Sequence, residues 1–134
     1  PLNLVLFSGT DDKLQAAAIL TAGAAALGRP VNVFLQYWAL DAFRADRIDA
    51  DHGLAPEAGT AGRTAVDALR KAGQASWAET LRQAKEIGEV DIQACSLSMD
   101  LLGIDETALD PIVDGVEGVT AFHISAGNGQ IVFI

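Results

Sequence analysis

Short apolar runs of strand length recur along the chain, and the segments between them carry helical spacing or strong helix formers. Leu2 to Phe7, Val31 to Gln36, Val90 to Ala94 and Gln130 to Ile134 are such runs, and Ile112 to Val116 is a weaker one. Leu14 to Leu27 is rich in alanine, the best helix former, and Gly28 stops it. A short helical piece is predicted over Ala39 to Arg44. Trp77, Leu81, Ala84 and Ile87 share a helical face closed by Gly88; Leu97, Leu101 and Leu102 form another that ends at Gly103; Val119, Phe122 and Ala126 precede the stop Gly127-Asn128-Gly129. Strands alternating with helices predict an α/β chain with a parallel sheet covered on both faces, a three-layer α/β/α sandwich. From Ala45 to Gly73 the pattern lapses, with only a helical turn or two over Thr64 to Lys71, so a long irregular excursion is expected there.

At 134 residues the chain is sized for one domain, 1–134. Half of it is hydrophobic and its mean hydropathy is +0.25, values that suit packing on several sides or against other subunits. A net charge of -9 disfavours nucleic acid and anionic membrane surfaces as partners. A single cysteine makes no internal disulfide, so cytoplasmic residence is the default expectation. The first residues lack a basic segment of the signal-peptide kind, and Leu14 to Leu27 is shorter than the ~20 residues that span a bilayer.

Parallel sheets bind ligands outside the carboxyl ends of their strands. Ser8-Gly9-Thr10, Tyr37-Trp38, Cys95-Ser96 and Glu117-Gly118 are all predicted to reach that edge. Cys95 ends the Val90 to Ala94 run on the same parity as Asp91 and Gln93, the more polar side, and Ser96 is placed to cap the helix that follows. Amide hydrogens and the helix dipole favour a thiolate there, and Ser96 and Ser98 are potential donors to a sulfur anion. The competing reading is a small buried hydrophobe, a common fate of free cysteine. Without a second cysteine, internal dithiol cycling is disfavoured, and transfer to a partner's thiol fits better.

The Ser8-Gly9-Thr10 turn is a candidate phosphate cradle, though a plain turn with a helix cap explains one glycine with less. Tyr37 and Trp38 either line a pocket over the thiol or finish the core. His52 and His123 have no partner at metal-ligand spacing and read as surface or satisfied side chains. Asp11, Asp12, Asp46, Asp49 and Asp51 read as solvated loops and a helix N-terminus rather than a cation site.

Several stretches together resemble the DsrE/DsrF-like sulfur-relay superfamily, in particular its single-domain peroxiredoxin-like members. They are Leu4-Val5-Leu6-Phe7-Ser8-Gly9-Thr10 with Asp12-Lys13-Leu14, Gly23-Ala24-Ala25-Ala26-Leu27-Gly28, Val33-Phe34 with Trp38 and Leu40, and Gln83-Ala84-Lys85-Glu86-Ile87-Gly88. Ala94-Cys95-Ser96-Leu97-Ser98-Met99-Asp100, Asp114-Gly115-Val116 and Gly118-Val119 complete the set, and Ala-Cys-x-x-Ser-Met is its most specific part. The resemblance implies an α/β/α domain with a mainly parallel sheet of about five strands, and a homo-oligomer, trimer or hexamer. It also implies a cysteine that carries sulfane sulfur as a persulfide, and that cysteine maps onto Cys95.

The leading expectation is therefore a sulfur carrier or sulfurtransferase that serves donor and acceptor proteins without a metal or organic cofactor. Cys95 is its expected nucleophile, with Ser96, Ser98, Met99, Trp38, Gly9 and Thr10 near the substrate. The alternatives are a flavodoxin-like small-ligand or nucleotide-binding module with Cys95 only structural, and a purely structural subunit.

Overall fold

The computed structural model describes residues 1–134. Strands β1 (Leu2–Leu6), β2 (Val31–Leu35), β3 (Val90–Cys95), β4 (Gly115–Glu117) and β5 (Ile131–Phe133) form one all-parallel sheet in the order β4-β3-β2-β1-β5. Helices α1 (Asp11–Ala26), α2 (Tyr37–Ala42), α3 (Gly59–Lys71), α4 (Trp77–Ile87), α5 (Ser96–Leu102) and α6 (Val119–Ala126) connect and cover it. This is the expected α/β/α architecture, and none of the helices is long and apolar enough to cross a membrane.

The period-two alternation of the strands sorts two unequal cores. Leu2, Leu4 and Leu6, then Val31, Val33 and Leu35, then Ile92 and Ala94 face the larger one, where Leu14, Ala17 and Ala18 of α1 meet Trp77, Ala78 and Leu81 of α4. The alanines let these helices close in on each other: a Cβ on Gly88 would lie 2.9 Å from that of Ala25. The opposite face carries Asn3, Val5, Asn32, Phe34, Asp91, Gln93 and Cys95, and Phe122 of α6 packs there with Val5, Phe34 and Cys95. Asn3 is fully buried on this side. Its amide donates to the carbonyls of Gln130 (3.1 Å) and Ala126 (3.4 Å), and its oxygen accepts from Asn32 (2.9 Å). A buried polar side chain is tolerable when so satisfied, and this one ties the end of α6 and the approach to β5 onto a central strand.

Several boundaries differ from the sequence expectation. Helix α1 begins at Asp11 rather than Leu14, its first turn holding two acidic residues that suit the positive end of the helix. The short helix expected over Ala39 to Arg44 spans Tyr37–Ala42. The strand expected over Ile112 to Val116 is Gly115–Glu117, and Ile112 is buried in the larger core ahead of it.

The largest correction concerns residues 45–73. A 3-10 turn over Pro56–Ala58 runs into a thirteen-residue helix, α3, where a turn or two was expected. No residue of α3 is buried. Polar clasps hold it instead: Arg63 to Asp51 (2.8 Å) and Arg70 to Asp11 (2.8 Å). The Gly53 amide and then the Arg63 guanidinium hold the Asp51 carboxyl down to about 2. That anchor therefore keeps its charge above the ordinary carboxylate range and loses it only as pH falls toward 2.

Candidate functional site at the carboxyl edge of the sheet

The stretches predicted to meet at one edge do follow the strand ends. Ser8-Gly9-Thr10 leaves β1, Tyr37-Trp38 leaves β2, Cys95 ends β3 and Gly118 follows β4. The first two are in direct contact, because a Cβ on Gly9 would run into the Trp38 backbone carbonyl. Tyr37 is the one non-glycine residue with positive φ (42°), a costly conformation for a bulky side chain. Its N–H donates to Ser98 Oγ of α5 (3.2 Å), and its ring packs on Phe7 with centroids 5.0 Å apart. Ser98 is buried and thereby locks the β2 turn to α5, while Met99 belongs to the larger core.

Cys95 is the last residue of β3 and itself the N-cap of α5, with extended backbone (φ −70°, ψ 117°). Ser96 is thus the first helical residue, not the cap, and no side chain caps this helix. The parity expectation holds along the strand, since Cys95 shares its face with Asp91 and Gln93. At the sulfur itself the surroundings are apolar: Cys95 is 5% exposed among Val5, Phe34 and Phe122. The two phenyl rings stack at 4.9 Å and 13°.

Glu117 is the register partner of Cys95 on β4 and so projects from the same face. Burial, reinforced by the negative charge of Asp91, raises its carboxyl above the ordinary value of 4.5. A raised acid opposes folding once the unfolded chain ionises and the folded one does not, so the penalty develops above pH 4.5 and is complete above the folded pKa. Glu117→Gln is accordingly expected to raise the melting temperature at pH 7.5 more than at pH 4. Paired thermal melts at the two pH values check this, and an equal shift at both would contradict it.

The remaining predicted contact residues gather elsewhere. Ser8, Gly9, Thr10 and Trp38, with Asp41, Arg47 and His52, line an open cavity of about 350 Å³ whose lining does not include Cys95. The edge therefore carries two groups, one around the thiol and one over the β1 turn, joined through Tyr37 and Ser98. The acidic residues are engaged by protein groups rather than merely solvated. Asp11 is buried and accepts from Trp77 Nε1 (2.9 Å), Arg70 (2.8 Å) and the His52 N–H (3.0 Å), while Asp46 and Asp49 pair with Arg44 and Arg82. The His52 ring lies against Trp77, and the exposed His123 against Phe122.

Phe122 and Phe34 had no part in the site expected from the sequence, and Glu117, expected at the same edge, was not placed beside Cys95. Phe122 was already marked by its inward helical face with Ala126. The position of Glu117 beside Cys95 depends on strand register, which the displaced β4 boundary hid.

Comparison with known proteins adds three findings. Residues 1–64 match the model of a family described as DsrE/DsrF/DrsH-like. Over 149 aligned positions the chain is 30% identical to the uncharacterized protein YrkE of Bacillus subtilis (strain 168), spanning 96% of this chain and 92% of that one. Its fold is similar to that of MTH1491, a protein of unknown function from Methanobacterium thermoautotrophicum, with a TM-score of 0.52 and 15% identity over the whole of both chains.

Proposed function

The chain belongs to the DsrE/DsrF/DrsH-like family, and from that premise we propose that it is a sulfur-relay protein in which Cys95 carries a persulfide. The observation that carries the reading is the place of the single cysteine: the carboxyl end of an interior parallel strand, at the start of a helix. In the loading step the Cys95 thiolate attacks the terminal sulfur of a donor persulfide. The new S–S bond gives Cys95-S-S⁻, the donor's S–S bond breaks, and the donor leaves as its thiolate. In the unloading step an acceptor thiolate attacks the outer sulfur and releases the Cys95 thiolate. No net oxidation or reduction occurs over the two steps.

The residues around the thiol fit these steps. Cys95 stands at the N-terminus of α5, whose positive end favours the sulfur anion that both steps create. The raised carboxyl of Glu117 extends the pH range over which a neutral acid, rather than a second anion, stands next to that sulfur. Phe122 and Phe34 close the site, so loading requires α6 to lift or tilt.

The proposal includes a homo-oligomer, trimer or hexamer, serving donor and acceptor proteins. It is supported by Leu97 and Leu101 on α5 and Val119 and Ile124 on α6, large apolar side chains exposed on the two helices that follow the Cys95 and Glu117 strands. A second reading, a small-ligand module, is favoured by the edge cavity over Gly9, Thr10 and Trp38, which is built apart from the thiol.

One experiment separates them. Reduced protein is incubated with inorganic polysulfide and examined by native and denaturing mass spectrometry beside Cys95→Ser. Sulfur-sized increments on the wild type alone, within an oligomer, are expected. A wild type that gains no sulfur would sink the relay reading, and a monomeric native mass would remove the oligomer.

A further inference from the structure

We propose that the cavity roofed by α3, about 800 Å³ and apart from the thiol, is a binding site for an amphipathic cation, an amine carried on an apolar body. The site is distinct from the edge cavity and does not depend on the sulfur-relay reading.

The first argument is the state of α3. A helix with one apolar side ordinarily buries that side against a core, and thirteen residues are too few to hold a helix in water alone. Here Val66 and Leu69 face the cavity, yet no residue of the helix is buried, and Leu69 is 49% exposed. The apolar stripe looks onto open volume instead of a packed surface. Arg63 and Arg70 hold the helix at that distance through Asp51 and Asp11. Beneath it, Ile48 and Trp77 supply an apolar floor that is already part of the larger core. The volume falls within the roughly 300–1,000 Å³ typical of small-molecule sites.

Charge selects the occupant. Five carboxylates line the cavity, those of Asp11, Asp12, Asp49, Asp51 and Glu79, against the guanidiniums of Arg70 and Arg82. Both arginines are already paired with acids: Arg70 with Asp11 and Asp51, Arg82 with Asp49 and Asp110. Glu79 pairs with neither: its backbone N–H donates to Ser76 Oγ, and its exposed carboxylate at the cavity wall makes no ion pair. An anion would meet an excess of negative charge inside a chain of net charge -9, whereas an ammonium group would meet Glu79. Apolar roof and floor with an acidic wall thus specify both halves of the ligand.

The probe is dansylcadaverine, a primary amine on a naphthalene body, with anilinonaphthalene sulfonate as its anionic counterpart. In a Trp38→Phe background Trp77 is the only indole, so energy transfer from Trp77 to the dansyl group reports binding, and its loss in the variants below assigns that binding to this cavity. Saturable one-site transfer is expected, at least about tenfold tighter than binding of the anionic probe. Glu79→Gln should weaken the amine about threefold to tenfold, the range ordinary for loss of one partly solvated charge contact. Leu69→Arg, at a half-exposed position that tolerates the change in fold, should fill the cavity with its own cation and abolish the signal, with circular dichroism confirming an unchanged helix content. Equal binding of the two probes, or undiminished transfer in Leu69→Arg, would overturn the proposal. Sulfur loading on Cys95 in Glu79→Gln and Leu69→Arg, made with Trp38 retained, is expected to be unchanged, which keeps this result separate from that of the relay.

Discussion

Asp11→Ala should cost about 3 kcal/mol of folding stability and loosen α3. The Asp11 carboxylate takes the indole N–H of Trp77, the Arg70 guanidinium and the backbone N–H of His52. Arg70 is 40% exposed, so its ion pair is partly screened and adds little. The greater part of the loss comes from Trp77, which is 4% exposed and would be left with an unpaired buried N–H. Asp11→Asn keeps one acceptor oxygen and should fall between wild type and Asp11→Ala. Urea titration followed by Trp77 fluorescence reads the stability, and hydrogen exchange over residues 59–71 reads the freeing of α3. A loss below about 0.5 kcal/mol, the scale of ordinary surface substitutions, would remove Asp11 as the hub of that side of the molecule.

Phe122→Ala is the second large effect, and it acts on the thiol as well as on stability. Phe122 is 2% exposed, stacks on Phe34 and closes the small core that contains Cys95. Truncating a buried phenylalanine costs about 3–5 kcal/mol through lost transfer energy and the cavity left behind. The same cavity opens a path to the sulfur. Alkylation of Cys95 by iodoacetamide under native conditions, which otherwise waits for local opening, should accelerate by at least about tenfold. Since total stability is commonly about 5–15 kcal/mol, Phe122→Leu provides a milder companion that keeps the fold and should give a smaller acceleration in the same direction. An unchanged alkylation rate in both variants would show that α6 is not what covers the thiol.

These two residues mark where the sequence was readable and where it was not. The apolar runs Leu2 to Phe7 and Val31 to Gln36 and the parity of Val90 to Cys95 were legible because they depend on near neighbours in the chain, and with the helices between them they suffice for a parallel sheet. The place of Cys95 at the strand-to-helix junction was legible for the same reason. Its surroundings were not: Asp91 and Gln93 are close in sequence, whereas Phe34 and Phe122 arrive from other elements and make the thiol's own environment apolar. The role of Asp11 was hidden likewise, its partners Arg70 and Trp77 standing 59 and 66 residues away. Helix α3 was legible only over Thr64 to Lys71, because Gly59 and Gly62 interrupt its first turns and no buried stripe enforces a pattern. At β4 the Asp114 carboxylate accepts the Ile92 N–H (2.8 Å), so a side chain claims the amide that a longer strand would have used, and pairing begins only at Gly115.

The position of β5 has a kinetic consequence. Strand β1 lies inside the sheet, yet its second edge is paired by the strand made last, through Asn3 beside Ile131 and Val5 beside Phe133. During synthesis β1 can join β2 early, but one row of its amides and carbonyls stays open until residue 131 has emerged. Pairing across so much chain is slow, because the closing loop loses its entropy before any contact compensates. The growing chain thus passes through a state with a hydrophobic strand edge free to accept another strand. In that interval Asn3 also waits, since Ala126 and Gln130, the carbonyl partners that satisfy its amide, arrive with the same late segment.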